Sequence, residues 1–359
     1  MKIVVVTCYF DPDYVRARTL RTALKQMPGV QTIVVKNRHK GLLRYPEIMW
    51  KLWQVKRQQH PDSYLLTFRG QEILPFVLLL AGKKPVIFDE FIVPIAYATG
   101  ENHRLTLAVR VKYFLAQISE PLYKTWLHHC KAILADTKAH AELSARLSHT
   151  NLSNYLALPV GADEALFKPS TVAVSKTNFQ VFYYSLGMQP LHGIEFVLQA
   201  AELLKGQADI EFLIVGGKRP LEQAVMQAVA AGAQVRYLSW VPFDELLATI
   251  HGASLCLGGP FGGTPQAGHV ITGKTYQFLA SAMPVVVGAS DATAEYFVDK
   301  QNSLVVAQAD AQALASAITW AKAHPSELHA IAMQGRALYE KEFSNLAIKK
   351  LLEPLVSSL

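Results

Sequence analysis

The sequence predicts an α/β protein built of two tandem doubly wound, Rossmann-like domains with a cleft between them. Three observations carry that expectation. At 359 residues the chain is too long for one ordinary core and suits two domains of roughly 170 residues each. Continuous apolar, strand-like runs alternate with amphipathic helical stretches, the pattern of a parallel sheet covered on both faces. The alternation breaks once, at "GADEALFKPSTVAVSKTN" (161–178), where Gly, Pro, Ser and Thr mark a linker. The boundary is expected between Pro169 and Asn178. It divides the chain into 1–170 and 171–359, with the C-terminal helices able to return to the first domain.

The elements follow in order. "KIVVVTCYF" opens as a strand, and "VRARTLRTALKQM" is a helix with Ala17, Leu20, Leu24 and Met27 on one side. After the strand "VQTIVVK" comes "PEIMWKLWQVKRQQH", a helix with proline in its first turn and Ile48, Met49, Leu52 and Trp53 at helical spacing. "SYLLTF", the helical "EILPFVLLLAG" and the buried strand "KPVIFDE" come next, then helical material over 104–129. "KAILADT", "KAHAELSARLS" and "NYLALPV" complete the first half as strand, helix and strand. Beyond the linker the alternation restarts with "FQVFYYSLG", helix 193–205, "IEFLIVGG", helix 220–231, "QVRYLSWV", helix 243–251 and "SLCLGG". The run "FGGTPQAGHVITGKTYQFLASAMPVVVG" (261–288) then passes from a glycine-rich loop into a helix and a strand. A short helix at 292–297, "SLVVA", helix 310–323 and a helical tail close the chain.

Composition excludes several classes. With 51% hydrophobic and 18% charged residues the chain is a folded protein and not a disordered one. The apolar run in "MKIVVVTCYF" is too short for a signal sequence, and "ILPFVLLLAG" falls far below the ~20 residues that a membrane crossing requires. Cys8, Cys130 and Cys256 lie far apart without metal or redox spacing, which points to a reducing, cytoplasmic setting. Charge is unevenly placed. Residues 1–169 carry 23 Lys/Arg against 13 Asp/Glu, a net of +10, and residues 170–359 carry 12 against 15, a net of −3. From Lys36 to Arg57 there are seven Lys/Arg and one Glu, with Tyr45, Trp50 and Trp53 interleaved. Two readings stand: a helix with its apolar side on the sheet and its basic side in water, or contact with anionic lipid headgroups. A nucleic-acid partner is not expected, because neither a recognised motif nor a repeating basic-aromatic platform is present.

The second half resembles a retaining glycosyltransferase of the two-domain GT-B fold, similar to glycosyltransferase family 4. The resemblance rests on "VFYYSLGMQPLHGIEFVLQAAELL", "IEFLIVGGKRP", "VRYLSWVPFDELLATIHGASLCLGG" and the 261–288 run followed by "ATAEYFVDKQNSLVV", in that order. In the first half, "KAILADTKAHAELSARL…LALPVGADEALFKP" resembles the approach to the second domain in the same enzymes. The resemblance implies a nucleoside-diphosphate-sugar donor on the second domain, a glycan or lipid-linked acceptor on the first, and neither cofactor nor metal. With the cysteines and the basic 36–57 stretch, the expected location is cytoplasmic, peripheral on the inner face of the membrane. Two other enzyme and binding classes remain open: a nucleotide-sugar epimerase of the same architecture, and a non-catalytic nucleotide-sugar-binding protein. The departures from the family keep the last one open, since Met188 and His192 stand where an arginine and a lysine are frequent, and His269 and Gln277 where two glutamates are.

Transfer from a diphosphate needs stabilisation of the departing charge, which oriented N–H groups and a cation supply. Lys274, in the first turn of the helix after the glycine loop, is the candidate cation and catalytic residue, with Gly262, Gly263 and Thr264 facing the diphosphate or sugar. The resemblance adds Gly187 and His192 at the first turn of the second domain, Trp240, Val241 and Pro242 at the base, Gln277 at the ribose, and Glu295. His192 can act as a neutral donor or a cation. Arg16 and Arg18, after the first strand, are expected to add positive charge toward the sugar donor. Asp89, at a strand's carboxyl end, is the candidate catalytic group on the acceptor side.

Overall fold

The computed structural model describes residues 1–93, 120–170, 178–185, 189–217 and 219–359. The chain divides into two compact units, Met1–Gly161 with Asn345–Leu359, and Ala162–Ser344. The division falls ahead of the Ser/Thr-rich stretch, and the last fifteen residues belong with the first unit.

In the first unit, β1 (Lys2–Thr7), β2 (Gln31–Lys36), β3 (Ser63–Leu66), β4 (Val86–Asp89), β5 (Ala132–Ala135) and β6 (Tyr155–Ala157) form one parallel sheet in the order β2-β1-β3-β4-β5-β6. Alternate residues of β1 point to opposite faces, as a pleated strand requires. Ile3 and Val5 pack with Leu20 and Leu24 of α1 (Val15–Lys25) and with Ile348, Leu352 and Val356. The last three recur every fourth residue along the final helix, Asn345–Ser357, so they form one stripe that covers this face. Val4 and Val6 pack on the other side with Ile48 and Leu52 of α2 (Arg44–Gln59) and with Leu74 and Val77 of α3 (Leu74–Ala81). Residues 120–128 are helical; the remainder of the expected 104–129 helix lies outside the described residues.

In the second unit, β7 (Phe179–Tyr184), β8 (Ile210–Val215), β9 (Val235–Leu238), β10 (Leu255–Leu257), β11 (Val285–Gly288) and β12 (Leu304–Val306) form a second parallel sheet, β12-β11-β10-β7-β8-β9. Counted from its first strand this is the 3-2-1-4-5-6 order of a dinucleotide-binding sheet, with the chain reversing direction across the sheet between β7 and β10. Val181 and Tyr183 of β7 face a core that includes Val197 and Leu198 of the helix Ile194–Leu203. Among the described residues no helix is long and apolar enough to cross a membrane.

Candidate functional site

In open parallel sheets, ligands bind beyond the carboxyl ends of the strands where the chain reverses its direction of winding. In the second unit that place lies past β7 and β10, and the loops following these strands hold most of the expected donor residues. The loop after β7 turns through His192 into Gly193, whose φ of 61° is open to glycine without strain. The loop after β10 passes directly against it. A Cβ at Gly262 would lie 2.0 Å from the Pro190 carbonyl oxygen, and one at Gly193 would lie 2.4 Å from the Gly262 nitrogen. The two glycines therefore permit backbone-to-backbone contact, sealed by Gly262 N–H donating to Leu191 O at 3.0 Å. That bond corrects one expectation: the N–H of Gly262 is already engaged within the protein, so Gly262 shapes the loop and does not offer an N–H to a phosphate. Gly263 is exposed, and the Thr264 hydroxyl accepts from Ala267 N to start a short 3-10 turn.

The polypeptide then enters the helix Gly273–Ala280. Thr272 precedes it and donates its hydroxyl to Gly258 O at 2.7 Å, which ties the helix start to the end of β10. Lys274 sits in the first turn and is 6% exposed. Its Nζ has no hydrogen-bond partner among the described residues and stands 4.3 Å from the centre of the Tyr183 ring. Burial lowers its pKa to about 7, because the charged form loses solvent. His192 is in the same state: its Nδ1 is buried without a partner among the described residues. Burial, and secondarily the charge of Lys274, lower its pKa to about 3. Both causes favour the neutral imidazole of His192 in the ligand-free protein. A buried lysine amine and a buried imidazole nitrogen, neither paired among the described residues, stand next to a helix N-terminus, an arrangement suited to an anion.

The other donor-side residues divide. Gly187 lies outside the described residues. Trp240 follows β9 and is 67% exposed, so it is no core tryptophan and its ring is free to stack. Val241 is half-buried, and Pro242 starts the helix Phe243–Gly252, its carbonyl accepting from Glu245 and Leu246. Gln277 is half-buried and its side-chain oxygen accepts from the Tyr184 hydroxyl. Glu295 follows the short helix Asp291–Ala294, which Ser290 and Thr293 already cap reciprocally. It therefore does not serve as the cap.

In the first unit the geometry reassigns two residues. Arg16 (1% exposed) and Asp89 (0%) form a buried ion pair. Arg16 Nη2 donates to Asp89 Oδ1 at 2.8 Å and its Nε at 3.0 Å. Its Nη1 donates to the carbonyls of Leu158 and Pro159. Asp89 also accepts from Phe68 N. Asp89 and Arg16 are thus buried and spent on each other and on backbone groups, and together they join α1, β4 and the end of the β6 segment. Arg18 lies half-buried on α1. The switch point of this sheet, between β1 and β3, gathers aromatic rings instead. Tyr14 stacks on Phe68 at 4.4 Å, and Tyr9 and Phe91 meet Phe68 edge-on, each at 4.7 Å. Arg69, in a left-handed conformation at φ 55°, lies over Tyr9.

Sequence reasoning missed this ring cluster, Tyr183 beneath Lys274, and Tyr184 on Gln277. It also missed the buried pair of Asp136 and His140, whose i, i+4 spacing in "DTKAH" was the available signal.

Residues 180–323 match the family model described as Glycosyl transferases group 1. No curated protein matches the chain by sequence. Among solved structures, the sucrose-phosphate synthase of Thermosynechococcus elongatus is similar at 16% identity and a TM-score of 0.76, over 100% of this chain and 98% of that one. HepE of Anabaena, solved with UDP-glucose, is similar at 14% identity and a TM-score of 0.73 over the full length of both. A glycosyltransferase of Rickettsia africae is similar at 12% identity and a TM-score of 0.73, over 99% and 98%. At these identities the likeness is one of fold. The chain thus has the two-sheet GT-B fold of solved glycosyltransferases throughout, and over 180–323 it is similar to the group 1 glycosyl transferases.

Proposed function

We propose that the chain transfers a sugar from a nucleoside-diphosphate sugar to a glycan or lipid-linked acceptor, with retention at the anomeric carbon. The observation that carries this reading is the unpaired, buried Lys274 ammonium in the first turn of a helix at the sheet's switch point, beside neutral His192. In transfer, the bond from the anomeric carbon to the diphosphate oxygen breaks and its electrons stay with the diphosphate. The acceptor hydroxyl oxygen forms the new bond and its proton passes to the departing diphosphate. Lys274 meets the charge that develops on the leaving group, so stabilisation there needs no metal ion. An arriving diphosphate also favours protonated Lys274, which desolvation alone leaves poised near neutrality. Trp240 stacks on the base and Gln277, held by Tyr184, meets the ribose. HepE was solved with UDP and with UDP-glucose, which supports a uridine nucleotide as the first donor to try. The aromatic rings and Arg69 at the switch point of the first sheet suit the acceptor's sugar face, a role that Asp89 and Arg16 do not fill.

The location is cytoplasmic, peripheral on the inner face of the membrane. Three free, buried cysteines support the reducing setting. A thermal-shift panel of UDP-, GDP-, ADP- and dTDP-sugars identifies the donor, since a ligand of the native state raises stability by mass action. Incubation with the identified donor then separates the alternatives. Release of nucleoside diphosphate that rises with added glycan or lipid-linked acceptor supports transfer. Conversion of the sugar nucleotide without any acceptor means an epimerase. Binding without turnover under any condition means a non-catalytic protein.

A further inference from the structure

The face of α2 that turns away from the sheet carries large apolar side chains that none of the described residues covers. Ile48 and Leu52 form the buried stripe. On the opposite side Pro46, Trp50, Trp53 and Arg57 follow one another at spacings of four, three and four, which places them in one exposed row. Trp50 is 58% and Trp53 40% exposed, and just before the helix Leu42 is 82% exposed and Leu43 nearly as open. The indoles stack on each other at 5.1 Å, and the Arg57 guanidinium lies 4.7 Å over Trp53. Glu47 holds the preceding loop against the helix by accepting from the backbone N–H groups of Arg38 and His39 and from Lys51. Burial opposes its charge, but these bonds win and lower its pKa to about 2. The leucines are therefore displayed by a fixed turn, not by a loose end.

We infer that this row is a membrane-insertion face: Leu42, Leu43, Trp50 and Trp53 enter the headgroup region of an anionic bilayer, while Arg38, Lys40 and Arg57 meet its phosphates. Indoles have an apolar body and a polar N–H, which suits the boundary between headgroups and acyl chains. The charge around them has the matching sign. The first unit as a whole carries 24 Lys/Arg against 12 Asp/Glu, a net of +12. A protein interface would instead be expected to shed lysine around its aromatic centre. The inference rests on the peripheral location proposed above and not on the transfer reading, since it concerns only where the first unit rests. It also goes beyond charge attraction, since it requires the tryptophans to insert.

The test is flotation of the full-length protein with vesicles of phosphatidylglycerol and phosphatidylcholine in equal amounts, and with pure phosphatidylcholine. The anionic vesicles should carry the protein and the neutral ones should carry little. Trp50→Ser with Trp53→Ser should weaken anionic binding roughly ten- to a hundredfold with an unchanged melting temperature, because both rings are exposed. Arg38→Gln with Lys40→Gln should weaken it roughly thirtyfold and reduce its dependence on salt. Three results overturn the inference. One is no flotation with either vesicle, and another is equal flotation with both. The third is anionic flotation that the tryptophan variant leaves intact, which would mean adsorption by charge alone. If vesicles fail and sedimentation velocity shows self-association that the tryptophan variant abolishes, the face belongs to a second copy of the chain.

Discussion

Arg16 and Lys274 are both buried near the carboxyl ends of parallel strands, one in each unit, and their surroundings are opposite. Arg16 spends its guanidinium on Asp89 and on two carbonyls. Among the described residues Lys274 Nζ has an aromatic face and no hydrogen-bond acceptor. A satisfied buried charge fixes neighbouring elements and is already complete. An unsatisfied one costs stability in the free protein and is explained most economically by a ligand that arrives to pair with it. The contrast sorts structure from site more sharply than position does, since both residues stand at strand ends where sequence reasoning expects function.

The largest expected effect lies on the satisfied side. Asp89→Asn or Arg16→Met leaves one buried group without its counter-charge, which should destabilise the protein by about 3–5 kcal/mol and lower the melting temperature by roughly 10 °C. A double replacement, Arg16→Met with Asp89→Leu, should recover much of that loss. If Asp89→Asn melts like the wild type and only transfer falls, Asp89 belongs to the reaction and the contrast breaks.

The loop that approaches Lys274 should respond next. Gly262→Ala places a Cβ against the Pro190 carbonyl, and backbone has to shift. An overpacking loss of about 1–3 kcal/mol is expected, together with weaker nucleotide binding. Unchanged melting and binding would show that the loops are not held together as described.

A smaller effect sharpens the comparison through pH. Lys274 has a folded pKa of about 7 against 10.5 for a free lysine. Between these values the unfolded chain holds a proton that the folded one lacks, so this group makes stability rise with pH from about 7 upward. Lys274→Met lacks the group. Denaturant unfolding from pH 7 to pH 9 should therefore show the wild type gaining stability relative to the variant. A constant difference would mean that Lys274 stays charged and is hydrated.

How much of this was legible in the sequence follows from the range of the interactions. The alternation of apolar runs and helical stretches fixes strands and helices locally, and Lys274 was visible because its helix start and glycine loop are contiguous. Its burial was not, because Tyr183 lies 91 residues upstream. Asp89 was placed correctly at the end of β4, but its partner is 73 residues away, and a strand-end carboxylate with no visible partner reads as a free one. On α2 the difficulty was local. Ile48, Leu52 and Trp53 all fit helical spacing, yet a helix with apolar residues on two sides does not say which side the sheet takes. The sheet takes the aliphatic stripe, and the indoles stay outside.

The central claim is that the unpaired Lys274 ammonium is completed by a diphosphate. Calorimetric titration of the wild type and of Lys274→Met tests it, first with UDP and with uridine. If a different nucleotide gives the larger thermal shift, the corresponding diphosphate and nucleoside replace them. A charge-assisted hydrogen bond contributes roughly 1.5–3 kcal/mol, so the variant should bind the diphosphate about ten- to a hundredfold more weakly and the nucleoside equally well. Its empty form should be at least as stable as the wild type. Equal diphosphate affinity in both proteins, or an equal loss for diphosphate and nucleoside, would contradict the account.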